Sequence, residues 1–278
     1  MSRRVVRGVA AAALAVEAAL AGFRMTGVRI PGAALSGAAV LVVSALAVEC
    51  LVLGRLWRAA RRSGAGRRAA LGAVVRVAVP EPVRRLVAHE VRALGSLGLW
   101  VLRRRHGVPE GSLAVPYTGP QTALVYGLLP VALVETTVLA LLIPWPVVHA
   151  VVLVLDAYGV VLVLAFHASC VTRPHVVEPD GALRIRYGAL FDLRVPAAAM
   201  ASARVERRCP EGGSPRVGSD GALDLAVGGQ TTVTVELTGP VDYVRPLGKR
   251  GSARTVRFHA DDPGAVVTAL IRGPSTPP

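Results

Sequence analysis

The chain has 278 residues, of which 53% are apolar, 18% are charged and only 4% are aromatic. Together with its positive mean hydropathy, this composition excludes an ordinary water-soluble protein and is typical of a membrane protein. The formal net charge is +14, and Lys249 is the single lysine among the 32 basic residues. Such an arginine bias also follows from genomic base composition, so the charge alone does not indicate a nucleic-acid partner.

Four apolar windows are long enough to cross the hydrocarbon core of a bilayer, which needs roughly 20 helical residues. Residues 1–54 form a first predicted transmembrane hairpin, with spans at 5–23 and 34–54. Residues 123–168 form a second one, with spans at 123–143 and 147–168 around the turn Pro144-Trp145-Pro146. The predicted fold class of this part is therefore a membrane α-helical protein with four transmembrane helices.

Arginines beside the spans predict their orientation, because short basic flanks resist translocation. The N-terminus carries three arginines, at 3, 4 and 7, and six open the segment after the second span, whereas the loop between these spans holds only Arg24 and Arg29. The turn between the third and fourth spans holds no basic residue. We therefore expect a multi-pass protein of the plasma membrane with cytoplasmic N- and C-termini.

Carboxylic acids interrupt the predicted spans at similar depths. Glu135 lies nine residues before Pro144 and Asp156 ten residues after Pro146, which places both about 14 Å below the same turn. Glu17 in the first span reaches a comparable level. One interpretation is a proton or cation site formed by Glu17, Glu135 and Asp156 with His149. The other is that each acid is neutral and hydrogen-bonds a neighbouring helix, through Thr136 for example.

Residues 55–122 form a basic cytosolic segment with an amphipathic helix predicted at 82–104. Apolar residues of this helix share one face, while Arg84, Arg85, Arg92 and Arg103 fall on the opposite one. The helix is predicted either to lie against anionic headgroups or to pack on the rest of the protein. Residues 107–119, rich in proline and glycine, are predicted to be a loop leading into the third span.

Residues 171–272 have the sequence pattern of a β domain, with short strand-like runs between turn residues. The predicted strands are His175–Val177, Leu183–Tyr187, Phe191–Val195, Ala201–Glu206, Leu223–Val227, Thr231–Leu237 and Arg254–His259. The acids Asp261 and Asp262 followed by Pro263 predict the start of a closing helix that runs to Ile271. Residues 273–278 are predicted to be a disordered tail.

Three stretches of this domain, in the order in which they follow one another along the chain, resemble a known kind of domain. They are DGALRIRYGALFDLRVPAAAMASARVE at 180–206, TVTVELTGPV at 232–241 and VRFHADDPGAVVTAL at 256–270. The domain resembles the bacterial pleckstrin-homology-like (PH-like) domains attached to small membrane proteins. The resemblance implies a cytosolic all-β barrel of two sheets with a C-terminal helix, and a role in binding or assembly. The whole arrangement is similar to uncharacterised membrane proteins of high-GC actinobacteria.

Basic residues of this domain are candidates for binding headgroups or a partner. The resemblance to phosphoinositide-binding relatives directs attention to the first strand pair and a later loop. The candidates are Arg184, Arg186, Arg194, Arg245, Lys249, Arg250 and Arg254. From Arg173 onward the chain holds 14 basic and 11 acidic residues, so a solvated surface with weak membrane docking is the competing interpretation.

Sequence motifs give no support for an enzyme. The three cysteines form no CxxC pair, and an HExxH motif fails because Ala93 stands where the second histidine is needed after His89-Glu90. We predict no catalytic residue, no metal and no cofactor. A surface hydrolase with His106, His167 or His175 as base lacks a partnered nucleophile.

The sequence therefore predicts a non-enzymatic integral membrane protein whose PH-like domain binds a protein partner or the membrane surface. The alternative is a small proton- or cation-coupled transporter or channel that uses the intramembrane acids. The expected partners are the bilayer with its anionic headgroups and an unknown protein, with no nucleic acid. The sequence does not decide whether the protein forms homo-oligomers.

Overall fold

The structure, a computed structural model, describes residues 66–218 and 220–272, together with 51, 54–55, 57–59 and 61–64. The chain divides into two compact units, residues 1–84 and 85–278. The first unit contains helix α1 (Arg67–Ala78). Helix α2 (Glu81–Val101) follows, and its residues from 85 onward belong to the second unit. The predicted spans 5–23 and 34–54 lie outside the described residues apart from Leu51 and Gly54, so the first hairpin stays a prediction.

Helix α2 matches the predicted amphipathic helix at 82–104 within a few residues. Glu81 and Pro82 occupy its first turn, where an acidic side chain and the fixed φ of proline both favour helix initiation. Leu86, Val87 and Val91 on its apolar face are exposed. The helix ends where Arg103 adopts a left-handed φ of 53°.

Helices α3 (Gly119–Leu142) and α4 (Pro146–Thr172) form an antiparallel hairpin around Pro144-Trp145-Pro146. In the part of the chain that the structure describes, two helices, α3 and residues 148–172 of α4, are long and apolar enough to cross a membrane. Their side chains are largely exposed, which suits a lipid environment because every backbone amide is satisfied within the helix.

The strands of the second unit, as far as it is described, form two β sheets. One sheet has the order β1-β2-β3-β4, all antiparallel. The other has the order β5-β8-β9-β7-β6, in which β7 pairs parallel with β9. The strands are β1 (Leu113–Val115), β2 (His175–Val177), β3 (Leu183–Tyr187), β4 (Phe191–Val195), β5 (Met200–Arg208), β6 (Arg216–Val217), β7 (Leu223–Leu225), β8 (Thr231–Val244) and β9 (Arg250–Phe258).

A hydrophobic cluster joins both sheets to the closing helix α5 (Pro263–Arg272). Alternation along β3 and β4 directs Leu183, Ile185 and Leu193 into this cluster. From α5, Val266 reaches it and is fully buried. Each such side chain contributes about 1.5–3 kcal/mol by leaving water, so the two sheets and α5 stabilise one another.

The prediction that residues 107–119 are a loop is wrong at one place. Leu113–Val115 forms strand β1 and pairs with β2, where Val115 lies opposite His175. This pairing joins residues before the α3–α4 hairpin to residues after it. A strand of three residues between proline and glycine carries too little periodicity to be read from sequence, because its partner lies about sixty residues away in the chain.

Other strand limits also differ from the prediction. Strand β8 continues past 237 to Val244, and β9 begins at Arg250 instead of 254. A register shift between Glu236 and Val241 accommodates Gly239-Pro240 inside this longer ladder. Strand β6 lies between the predicted strands 201–206 and 223–227, where no strand was predicted, and pairs with β7.

The acids before the closing helix serve two different helices. The carboxylate of Asp262 accepts a hydrogen bond from the Ala265 N–H at 3.0 Å and caps α5, as predicted. Asp261 instead accepts hydrogen bonds from the Gly119 N–H at the start of α3, at 3.1 and 3.3 Å. Its own N–H donates to the Pro116 carbonyl at 2.9 Å. The apolar hairpin is therefore held at its base by the β domain.

Buried His175 links the two sheets. Its Nδ1 accepts a hydrogen bond from the Arg186 N–H, and its Nε2 contacts the His259 carbonyl, both at 3.0 Å. Its ring stacks on Tyr117 with centroids 4.3 Å apart. Because one nitrogen must accept, these contacts require the neutral ring. Burial lowers the pKa of His175 to about 3.

We expect His175 to make the fold sensitive to acid. Below pH 6.5 the unfolded state binds a proton that the folded state excludes, so stability falls as the pH drops from 6.5 toward 3. The loss is up to about 1.4 kcal/mol per pH unit. Thermal unfolding of the detergent-solubilised protein between pH 7.5 and 5 measures it. The variant His175→Gln should be less stable at pH 7.5 and lose less stability on acidification; an unchanged slope contradicts the assignment.

Candidate anion-binding cavity

A cavity of about 610 Å³ in the second unit is lined by basic side chains from several elements. Five elements contribute lining residues: helix α2, the loop before β1, the end of α4, the β3–β4 turn and the β8–β9 hairpin. The titratable residues that line it are Arg85, His89, Arg92, His106, Arg173, Arg186, Asp192 and Arg245. Five of them are arginines and one is an acid, so the cavity concentrates positive charge.

Arg186 lies at the back of this cavity and is only 1% exposed. Its guanidinium donates hydrogen bonds to the carbonyl oxygens of His106, at 2.9 Å, and Gly107, at 2.7 Å. Gly107 has a φ of 63°, and a Cβ there would lie 2.8 Å from the guanidinium. Glycine is thus needed at this position, because any side chain would push Arg186 away.

The acid in the cavity is shared between two arginines, and its closer partner is Arg184. Asp192 accepts two hydrogen bonds from Arg184, at 2.7 and 2.6 Å, a bidentate geometry that satisfies its carboxylate. The Nε of Arg186 is 3.8 Å from Asp192 and has no hydrogen-bond partner among the described residues. Burial and the charge of Arg184 lower the pKa of Arg186, so its charge is held in an unfavourable environment.

Arg173 adds a second half-buried charge at the point where α4 ends. Its Nη1 donates a hydrogen bond to Ser96 Oγ of α2 at 2.6 Å. Burial and the neighbouring charge of Arg92 lower the pKa of Arg173. The guanidinium groups of the cavity therefore repel one another, and an anion between them would remove that repulsion.

Two histidines complete the basic lining. Both ring nitrogens of buried His89 contact carbonyl oxygens, of Ala189 at 2.7 Å and of Pro246 at 2.9 Å. These contacts fix α2 against the β domain. Burial, then the charges of Arg173 and Arg186, lower the pKa of His106.

The basic residues predicted from sequence divide into three groups. Arg186 and Arg245 line the cavity. Arg184 pairs with Asp192, and Arg194 pairs with Glu178 and Asp180 at 2.7 and 2.6 Å. Lys249, Arg250 and Arg254 are exposed on the β8–β9 hairpin and are not among the lining residues.

Sequence reasoning missed most of the cavity. Arg85, His89 and Arg92 recur at helical spacing on one face of α2, a signal that could have been read as one basic stripe. Arg173 lies five residues after the predicted span 147–168, where an arginine is ordinarily explained by membrane orientation alone. For His106 and strand β1 the sequence holds no comparable signal. Only the tertiary structure places them beside Arg186.

A second cavity, of about 550 Å³, lies near the cytosolic end of the hairpin as oriented by the sequence. It is lined by Trp100, Arg103, Arg104, Arg105, Tyr117 and Cys170 among others. Arg103, Arg104 and Arg105 are exposed, and solvent screens exposed charges. The first cavity is the stronger candidate because Arg186 is buried in it.

Two of the acids that the sequence analysis predicted to lie in the membrane meet in the α3–α4 hairpin. Glu135, Thr136 and Asp156 line a cavity of about 230 Å³. The Thr136 hydroxyl donates to Asp156 Oδ2 at 3.4 Å. His149 and Asp156 border a smaller adjacent cavity, and Glu17 lies outside the described residues. Glu90 on the apolar face of α2 accepts a hydrogen bond from Tyr158 of α4.

The other histidines considered as bases have different surroundings. His175 is fully committed to its two hydrogen bonds. His167 is buried between the rings of Trp100 and Tyr126, with centroid distances of 5.9 and 6.2 Å. Across residues 66–218 and 220–272, no cluster of three His, Cys, Asp or Glu side chains could hold a metal ion.

Comparison of the chain with protein-family models, with curated proteins and with solved structures gave no match.

Proposed function

We propose that the chain is an integral protein of the plasma membrane, with four spans and both termini in the cytosol. Its β domain, of the PH-like kind, binds anionic groups at the inner face of that membrane. No enzymatic activity is part of the proposal. The basic cavity carries it, because five arginines lie around a space with one acid, and Arg184 already binds that acid.

The apolar hairpin supports the membrane location. Helices α3 and α4 expose long apolar surfaces such as Leu124, Val131 and Leu155, which water would not tolerate in a monomer. More arginines flank the predicted spans on one side than on the other, where only Arg24 and Arg29 lie, and this favours the cytosolic orientation of the β domain. The two packed sheets and the closing α5 are compatible with the PH-like assignment.

Helix α2 supports contact with the membrane surface. Its exposed Leu86, Val87 and Val91 form an apolar strip, and its other face carries Arg85 and Arg92. This combination is typical of helices that lie in the bilayer interface. Arg173 directly follows α4, so the basic cavity opens close to the height at which headgroups lie. Binding of a protein partner by the same domain is the alternative.

A matched pair of valine variants tests the interfacial role of α2. Val91 is 63% exposed on α2 and Val205 is 54% exposed on β5, so neither change to glutamate disturbs the core. Val91→Glu should speed amide hydrogen exchange of α2 several-fold in nanodiscs that contain phosphatidylglycerol, because a charge replaces a lipid-buried methyl pair. Val205→Glu should leave that exchange unchanged. Equal exchange of α2 in detergent, neutral nanodiscs and anionic nanodiscs contradicts the proposal.

A proton- or cation-coupled pathway is the second candidate, favoured by the cavity that Glu135 and Asp156 share. The variant Glu135→Gln with Asp156→Asn replaces both carboxyl groups by amides and keeps the Thr136 contact possible. On the surface-binding proposal, proteoliposomes with either protein should show the ion flux of empty vesicles. Flux through the wild-type protein that the double variant abolishes would establish transport. Circular dichroism of both proteins serves as the folding control.

A further inference from the structure

We infer that the basic cavity binds a phosphate with at least three terminal oxygens, either free or as a monoester, which lies between Arg92, Arg173 and Arg186. The inference rests on the proposed function and names the ligand chemistry of its cavity. Two sources supply this chemistry, a free phosphate in the cytosol and a lipid headgroup that ends in a monoester.

The first step of the argument is charge. Arg186 is almost completely buried, and its Nε lacks a hydrogen-bond partner within the described ranges. A buried guanidinium of this kind is destabilising unless an anion compensates it. Asp192 compensates it only in part, because it lies 3.8 Å from the Arg186 Nε and both of its oxygens already accept hydrogen bonds from Arg184. The cavity therefore sets a single acid against five arginines, an excess of positive charge that an anion would offset.

The second step is geometry. The cavity takes guanidinium groups from separate elements, Arg92 from α2, Arg173 from the end of α4 and Arg186 from β3. Arginine presents planar pairs of N–H donors that match two oxygens of a phosphate. A monoester offers three terminal oxygens and a charge of about −1.5 to −2 at pH 7. A carboxylate or a phosphodiester has one charge and two such oxygens, and so satisfies fewer of the donors.

The third step is rigidity. Ser96 holds Arg173, the carbonyls of His106 and Gly107 hold Arg186, and His89 fixes α2 to the β3–β4 turn and the β8–β9 hairpin. The donors are therefore placed before a ligand arrives, which reduces the entropy lost on binding. The volume of about 610 Å³ accommodates a phosphate together with part of the group that carries it.

His106 reports on occupancy of the cavity. Its surroundings include Arg173 at the end of α4, Arg184 and Arg186 on β3 and Asp192 on β4, and they lower its pKa. A phosphate dianion nearby favours the imidazolium, so binding raises the pKa of His106. Histidine NMR titration of the full-length protein in detergent, with and without inorganic phosphate at constant ionic strength, measures this shift.

The matched variants are Arg92→Gln in the cavity and Arg254→Gln on β9, both at exposed arginines, so the fold is preserved in each. Arg92→Gln should weaken phosphate binding roughly tenfold, because a charge-assisted hydrogen bond is lost. Arg254→Gln should change it less than twofold. Equal affinity of the wild type and Arg92→Gln overturns the inference.

Nanodiscs distinguish the two sources. In phosphatidylcholine discs that contain phosphatidic acid, a raised pKa of His106 with no further response to added phosphate identifies the lipid headgroup as the occupant. If added phosphate raises the pKa of His106 by the same amount with and without these discs, free phosphate is the occupant.

Discs with phosphatidylglycerol, matched in surface charge, separate this inference from the proposed function. If phosphatidylglycerol shifts His106 as much as phosphatidic acid does, or if neither lipid nor inorganic phosphate shifts it, the inference is overturned. Slow amide hydrogen exchange of α2 in the same anionic discs would still support surface binding. Loss of this protection from exchange would contradict the proposed function as well.

Discussion

The pairing of β1 with β2 is the constraint on which the second unit depends. It closes the sheet across an insertion of two long apolar helices, so that Leu113 lies opposite Val177 although the hairpin separates them in the chain. Asp261 reinforces the same point by accepting from the start of α3 and donating to Pro116. The direction of the hairpin relative to the β domain is therefore fixed by backbone hydrogen bonds rather than by a flexible linker.

The same junction builds the basic cavity. Residues 106 and 107 lie in the loop before β1, and their carbonyl oxygens hold the guanidinium of Arg186. His175 on β2 accepts from the backbone of Arg186, which fixes this strand beside the loop. Arg173 precedes β2 by two residues and reaches back to α2. Buried positive charge thus accumulates where the predicted membrane and the β domain meet, and an anionic ligand is the simplest means of stabilising it.

Particular residues show what patterns can and cannot predict. Strands β2, β3 and β4 and helix α5 follow from alternation, turn residues and capping signals, since these are local. Arg184 and Arg186 share the same alternation, yet one pairs on the surface with Asp192 and the other is buried. The sequence cannot separate them, because the difference arises from the loop at 106–107, about eighty residues away. Glu135 and Asp156 were placed at one depth by helical rise alone, and the hairpin brings them to one cavity.

Composition, apolar windows and arginine placement determine by themselves that this chain contains helices of membrane-spanning length and a separate β region. These properties depend on the residues of each segment and on the hydrophobic effect, which needs no knowledge of distant partners. Only the tertiary structure decides that β1 belongs to the sheet, that Asp261 caps α3 and that Arg186 becomes a buried charge beside Arg173. Each of these contacts joins residues far apart in the chain, and no local pattern specifies which distant groups will meet.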